Sequence, residues 1–461
     1  MQRWRNQRTK SLESLERREM MATFGFPWPN AHHLTVSFAP DGTRVGDSSS
    51  LLFAKLDATA PTPAWKSEVM RAFETWAEAA NVDFGVVPDS GDAFGVLGLS
   101  RGDQRFGDIR IAAIPLSSGN LSVSVPHDPA LSGTWAGDIL INADAAFGAG
   151  HADLYSVMLH EIGHVLGLDH SADPASVMFS HAGKSYTGLS GADRSAVQSM
   201  YGTRSVDIHD HEQANDTFDK ATRIKYEVPE YTGAAPLAIF GDITTPADID
   251  YYWVRPIAGY GGSTTFTVRS NLLSPLRMHM ELLDANGALL GQATSLSAEG
   301  SALSVTLPTV DSAKRYYIKV QSATSDAFAI GRYGVLVSFD DLMTVSPAAV
   351  DLVLRQPIDE LDPHDVVRRG ETSPEALAEK MRFVMGLMEG RLKGLGVSWQ
   401  NVTVSDVYTV HNIQPWLASH VLKPMGEASR RGFVWHFSRP PIVSIEYEMD
   451  VRGCRHERVL S

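Results

Sequence analysis

Residues 160–170 read His160-Glu161-Ile162-Gly163-His164-Val165-Leu166-Gly167-Leu168-Asp169-His170, three imidazoles and a carboxylate within one short run. On a helix, His160 and His164 stand one turn apart on the same face, so both rings can grip one cation. Gly167 lets the chain leave the helix through a backbone conformation most residues resist. That turn brings His170 back as a third nitrogen ligand. Three imidazoles around one Zn²⁺ leave the fourth position to water, the arrangement of a catalytic site. Glu161 lies beside the metal without ligating it and can take a proton from that water as it attacks a carbonyl. A core helix with three incidental histidines would match this pattern on the order of once in ten million start points, judged from ordinary residue usage. Leu154, Val157, Met158, Val165 and Leu166 supply the apolar positions that a buried active-site helix requires.

The run resembles the metzincin zinc proteases. Ser176-Val177-Met178 looks like their Met-turn, in which a methionine (here Met178) packs beneath the metal. Within that group the wording His164 to Ser171 is similar to the matrixin, or matrix-metalloprotease-like, branch. So are Ala72-Phe73-Glu74-Thr75-Trp76 in a first long helix, Gly107 to Ile111 and Gly137 to Ile141 in strands, and Leu189 to Asp193 with Val197 to Gly202 in a closing helix. The resemblance covers roughly residues 30–202. It implies an α+β fold, a polypeptide substrate and zinc-dependent endopeptidase activity, with Glu161 as general base. It assigns Leu121 and Val123 to an edge strand that pairs with extended substrate, although that segment taken alone suits an internal strand equally. Phe179, His181 and Tyr186 would wall the pocket beyond the scissile bond. The second, structural zinc of animal matrixins does not carry over, because that region offers only His127 and Asp128. A cysteine switch is also absent: the single cysteine, Cys454, lies far from any pro-segment.

The 461 residues suffice for about three domains. A net charge of −14 argues against a nucleic-acid partner. No apolar run has the length of a membrane span, and one cysteine excludes an intramolecular disulfide. Residues 1–29 are basic at Arg3, Arg5, Arg8 and Lys10 and lack the apolar core of a secretory signal. They resemble a leader found on large exported bacterial proteins, which implies a secreted, extracellular protein.

Residues 30–204 form the protease-like domain, with a strand at Leu34–Phe38 and a helix from Trp65 to Ala80. Across 205–345 short alternating runs, such as Thr264–Val268 and Tyr316–Val320, imply an all-β sandwich. Glu212–Thr217, Asp248–Val254 and Gly331–Tyr333 resemble the bacterial pre-peptidase C-terminal domain, a non-catalytic companion of secreted proteases. Asn215, Asp216, Asp248 and Asp250 are candidate oxygen ligands for a structural Ca²⁺; solvated carboxylates at strand ends are the other reading. The protease domain is expected to work without this sandwich, because all its ligands precede residue 203.

Residues 346–461 form an α+β module: an amphipathic helix from Ser373 to Leu395, a strand at Val402–Val410, a helix at Ile413–Met425, and strands at Phe433–Phe437 and Ile442–Met449. This order resembles the reactive-intermediate deaminases of the YjgF type. The resemblance implies a trimer, Arg431 on a substrate carboxylate, and Glu446 assisting water attack on an imine; the early strands of that family are poorly represented. Three functions follow: a zinc endopeptidase, a metalloprotease-fold binding protein without activity, or a bifunctional protein with a C-terminal imine deaminase. The intact set of Glu161 and three histidines favours the first.

Overall fold

The computed structural model describes residues 25–343, apart from 97, 129–131, 181–183, 208, 211–213, 226–232 and 234–235, and then 371–394, 397–437 and 447–452. The leader up to residue 24, His181, Glu446 and Cys454 lie outside the described residues. The chain divides into two compact units, 1–345 and 346–461.

The first unit opens with β1 (Leu34–Phe38), the small hairpin β2–β3 (Arg44–Val45, Ser48–Ser49), α1 (Leu52–Asp57) and α2 (Thr62–Ala77). Then come β4 (Phe84–Val86), β5 (Ile109–Ile114), β6 (Ser122–Ser124), β7 (Ile139–Asn142), α3 (Leu154–Val165) and α4 (Gly191–Tyr201). The sheet runs in the order β4-β1-β5-β7-β6, parallel except for β6. All five residues of β1 are buried. One cluster, containing Val36, Phe73, Trp76 and Ile162, covers one side of the sheet, and a smaller one around Phe94, Ala112 and Leu140 covers the other. A parallel strand covered on both faces reads as a continuous apolar run.

Helix α3 is set by its surroundings. Asp153 caps it by accepting from Ser156 N at 3.1 Å. Trp76 Nε1 donates to Leu159 O at 3.0 Å, which fixes α3 against α2. At its other end, Trp28 Nε1 donates to Val165 O and the Tyr201 hydroxyl to Leu166 O, each at 2.8 Å. Those carbonyls would otherwise lack partners at a buried helix end.

Among the described residues nine further strands follow: β8 (Thr222–Arg223), β9 (Leu237–Ile243), β10 (Ile249–Val254), β11 (Thr264–Arg269), β12 (Met278–Leu283), β13 (Leu289–Thr294), β14 (Ala302–Leu307), β15 (Tyr316–Ser322) and β16 (Gly331–Phe339). They form two sheets, β13-β12-β15-β10-β8 and β14-β11-β16-β9, that share one core. Alternating burial along β10 and β11 turns every second side chain into it. Tyr252 and Tyr333 meet there, hydroxyl to hydroxyl, at 2.8 Å.

The protease-like and β domains of this unit pack against each other through buried residues. Phe328, from the β domain, is buried in the catalytic core cluster. Gly85 lies so close to the β domain that a Cβ there would sit 2.1 Å from Leu272 O. Arg204 is buried between Asp83 of the catalytic domain, at 2.9 Å, and Asp242 of β9. Spacing along the chain did not show that these surfaces are shared.

In the second unit, α5 (Pro374–Gly394) turns Met381, Met385, Met388 and Leu392 into a core with Val407, Tyr447 and Met449. The sheet runs β18 (Val434–His436), β17 (Val404–Tyr408), β19 (Glu448–Arg452). The expected helix at Ile413–Met425 is interrupted: a π-helical stretch at Leu417–Leu422 separates two short α turns. Pro424, which lacks an N–H for the residue four back, accounts for the wider turn.

Candidate active site

His160 and His164 come from successive turns of α3, and His170 returns after Gly167, whose φ is +94°. The ring centroids lie 4.7 Å (160–164), 4.7 Å (164–170) and 5.3 Å (160–170) apart. Their ligand nitrogens lie within 4.8 Å of one another. His160 Nδ1 faces Val177 O and His164 Nδ1 faces Leu168 O, each at 2.8 Å. A carbonyl only accepts, so each Nδ1 carries the hydrogen and each Nε2 turns a lone pair to the centre. The two Nε2 atoms are 3.1 Å apart, a repulsive pairing of lone pairs that a shared cation relieves. Burial, with His160 and then His170 beside it, holds the His164 ring well below the usual imidazole range. Burial and then His160 lower His170 as well. Neutral imidazoles of fixed tautomer are what Zn²⁺ binds.

Glu161 is buried, and both its oxygens are held from one strand. Ser122 Oγ donates to Oε1 and Ser124 Oγ to Oε2, each at 2.6 Å. These serines were missed by sequence reasoning, although their i, i+2 spacing on a strand was a readable sign that they share a face. Leu121 and Val123 point to the other face, where Val123 packs on the smaller cluster. Their backbone lies on β6, which among the described residues pairs with β7 alone and stands at the sheet edge.

Met178 is buried, and a Cβ on Gly163 would lie 2.2 Å from its sulfur. Gly163 thus lets the turn pass directly under α3. Asp193 secures that turn, accepting from Ser176 Oγ and, at 3.0 Å, from Val177 N. Since Val177 O is the partner of His160, Asp193 orients a candidate ligand through one intermediate residue. Tyr186 is held by its backbone N, which donates to Ser156 Oγ at 2.7 Å, about a turn before His160. His127 stacks on Trp28 at 4.0 Å with Nδ1 against Phe26 O, so it is engaged in packing.

Among the described residues a second group suited to a cation joins Asp210, Asp216 and Asp248, with oxygens within 4.8 Å of one another. Asn215 Oδ1 and Asp250 Oδ1 are buried there with no hydrogen-bond partner among the described residues. Asp210 belongs with the four residues named from sequence. In the second unit, Arg431 Nη1 donates to the carbonyls of Gln400, at 3.2 Å, and Val402, at 2.5 Å. It sits in a 3-10 turn ahead of β18, holding backbone.

Residues 50–202 match the matrixin family, and residues 357–458 match the family described as 2-aminomuconate deaminase CnbZ. The chain therefore joins a matrixin-like segment to one similar to 2-aminomuconate deaminases. The chain is 27% identical to matrix metalloproteinase-16 of Homo sapiens over 207 residues, 40% of this chain and 29% of that protein. It is 29% identical to metalloendoproteinase 2-MMP of Arabidopsis thaliana over 146 residues, 30% of this chain and 37% of that protein. In the last region it is 46% identical to 2-amino-5-chloromuconate deaminase of Comamonas testosteroni over 100 residues, 21% of this chain and 37% of that protein. The chain thus spans about a third of the length of these curated relatives.

Proposed function

We propose that the first unit is a zinc-dependent endopeptidase. The observation that carries this reading is the convergence of three imidazoles, two with their protons fixed outward on carbonyls, beside a buried carboxylate and a sheet edge that is unpaired among the described residues. His160, His164 and His170 would hold the zinc, which when bound supplies Lewis acidity toward water and the scissile carbonyl. The edge of β6 binds an extended peptide by strand addition. Glu161 accepts a proton from the attacking water and delivers it to the leaving amine. An unbiased peptide library is expected to be cut at internal bonds, with cutting abolished by chelation and restored by Zn²⁺. Cutting that persists in the fully metal-free protein contradicts the reading.

Calcium is the proposed occupant of the second group, held by Asp210, Asp216 and Asp248 with Asn215 and Asp250 behind them. Ca²⁺ should raise the melting temperature of the full chain, as any ligand of the folded state does, and Asp248→Asn should abolish the rise. Export through the N-terminal leader is proposed from its resemblance alone; secretion of the native chain into culture medium tests it. Among the described residues no helix is long and apolar enough to cross a membrane.

A second activity, hydrolysis of an enamine or its imine by the C-terminal unit, is favoured by one observation: 46% identity to a protein named 2-amino-5-chloromuconate deaminase. Release of ammonia from 2-aminomuconate by the full chain tests it. The trimer implied for this module is tested by the solution mass of the same preparation.

A further inference from the structure

In the second unit, β17 and β18 are parallel neighbours, with Tyr408 opposite His436 and Asp406 opposite Val434. Strand alternation places Asp406, Tyr408 and His436 on one face. Val407, between them in sequence, is fully buried in the unit's core, so the polar face is turned away from that core. Asp406 is nevertheless buried, with only 11% of its side chain open, while 40% of His436 is open. His436 Nε2 and Asp406 Oδ1 are 2.9 Å apart, and the Tyr408 ring stacks on the imidazole at 4.5 Å and 10°. The backbone there is pinned as well: Thr409 N donates to His436 O at 3.2 Å and Trp435 Nε1 to Thr409 O at 3.0 Å.

A solvated sheet face has no need of a buried carboxylate, whose desolvation is costly unless it is paired. Here its partner is one imidazole, held in plane by an aromatic ring. Asp406 fixes the hydrogen of that imidazole on Nε2. Nδ1 has no partner among the described residues. This is the division of labour of an acid–base histidine.

We propose that His436, oriented by Asp406 and Tyr408, is the acid–base group of a deaminating site that takes 2-amino-2-enoates and their imine tautomers. The assignment rests on the deaminase reading above. The enamine first takes a proton from solvent on carbon, giving the iminium; the hydroxyl proton lost in the last step returns to solvent and closes the balance. Water then bonds to the iminium carbon as one of its protons passes to Nδ1 and the C=N pair moves to nitrogen. His436 returns that proton to the amine, the C–N bond breaks, and loss of the hydroxyl proton leaves the ketone. The sum is enamine plus water giving ketone plus ammonia. Asp406 and Tyr408 act through His436 and are positioning residues.

The test uses the full chain with 2-aminomuconate, following ammonia release and, in parallel, peptide cleavage. His436→Ala is expected to lose at least about a hundredfold in kcat, the usual contribution of a general acid–base group. Added imidazole should restore part of it, which a structural role would not allow. Asp406→Asn should lose about tenfold or more, and all variants should keep parental peptide cleavage and melting temperature. Ammonia release by the parent with His436→Ala and Asp406→Asn each within threefold of it overturns the site while leaving the deaminase reading intact. No ammonia above buffer from the parent overturns both.

Discussion

In the proposed mechanism Glu161 gives the metal site its chemistry, and the two hydroxyls on it set how it is presented. Ser122 and Ser124 each donate to a separate oxygen, so the carboxylate cannot rotate without losing a short, charge-assisted bond. Both come from the strand proposed to receive the substrate. The base and the peptide then share one rigid support, which is the pre-organisation that catalysis requires. The double change Ser122→Ala, Ser124→Ala should lower kcat by about tenfold or more with metal content unchanged, since a misplaced base costs rate more than binding. An unchanged kcat in steady-state peptide hydrolysis would make the serines mere packing. Asp193 works at one further remove, through Val177 to His160. Asp193→Asn should weaken zinc binding about tenfold, the effect usual for partners behind metal ligands. Competition with a zinc-chelating dye measures it.

Helix α2 carries a group that makes its packing depend on pH. Glu74 is buried on its inner side, and neither oxygen has a hydrogen-bond partner among the described residues. Burial, with Asp83 next in importance, pushes its carboxyl well above the usual range. The folded chain therefore keeps a proton that the unfolded chain loses near pH 4.5. With more protons bound in the native state, stability must fall as pH rises from that point. Glu74→Gln removes this linkage. It should be nearly neutral near pH 4 and stabilising near pH 8. Equal effects at both pH values in denaturant melts would contradict the assignment. The helix itself was legible from its apolar spacing, and so was α3, because a histidine repeat of four and a following glycine are local signals. The partners were not local. Ser122 and Ser124 lie 39 and 37 positions before Glu161, and the register that joins them is set by β7, which no short pattern encodes. Asp193 was visible only as part of a helix start. In the second unit, His436 and Asp406 lie 30 positions apart, and only the pairing of β17 with β18 unites them.

The first unit behaves as one body built from two domains. Arg204, just past α4, is the join: it is 6% exposed and pairs with Asp83 on one side and Asp242 on the other. Burial pushes the Asp242 carboxyl up to about 7 even with Arg204 beside it, so this join, too, is sensitive to pH. Removing one member of a buried ion pair strands the others, at a cost of about 3–5 kcal/mol. Arg204→Met should therefore lower the melting temperature of the full chain by several degrees or more. A chain cut after Gly202 should lose more, because it also leaves the Phe328 site in the catalytic core unfilled. A truncated chain as stable and as active as the parent would show that the β domain is dispensable.

The proposed peptide hydrolysis rests on one proton transfer, and Glu161→Gln in the full chain isolates it. The amide keeps the size of the side chain but cannot accept the proton. Zinc content measured by mass spectrometry after dialysis should remain one per chain, while kcat on a cleaved library peptide falls at least about a hundredfold. Cleavage at the parental rate, with zinc bound, would contradict the central claim.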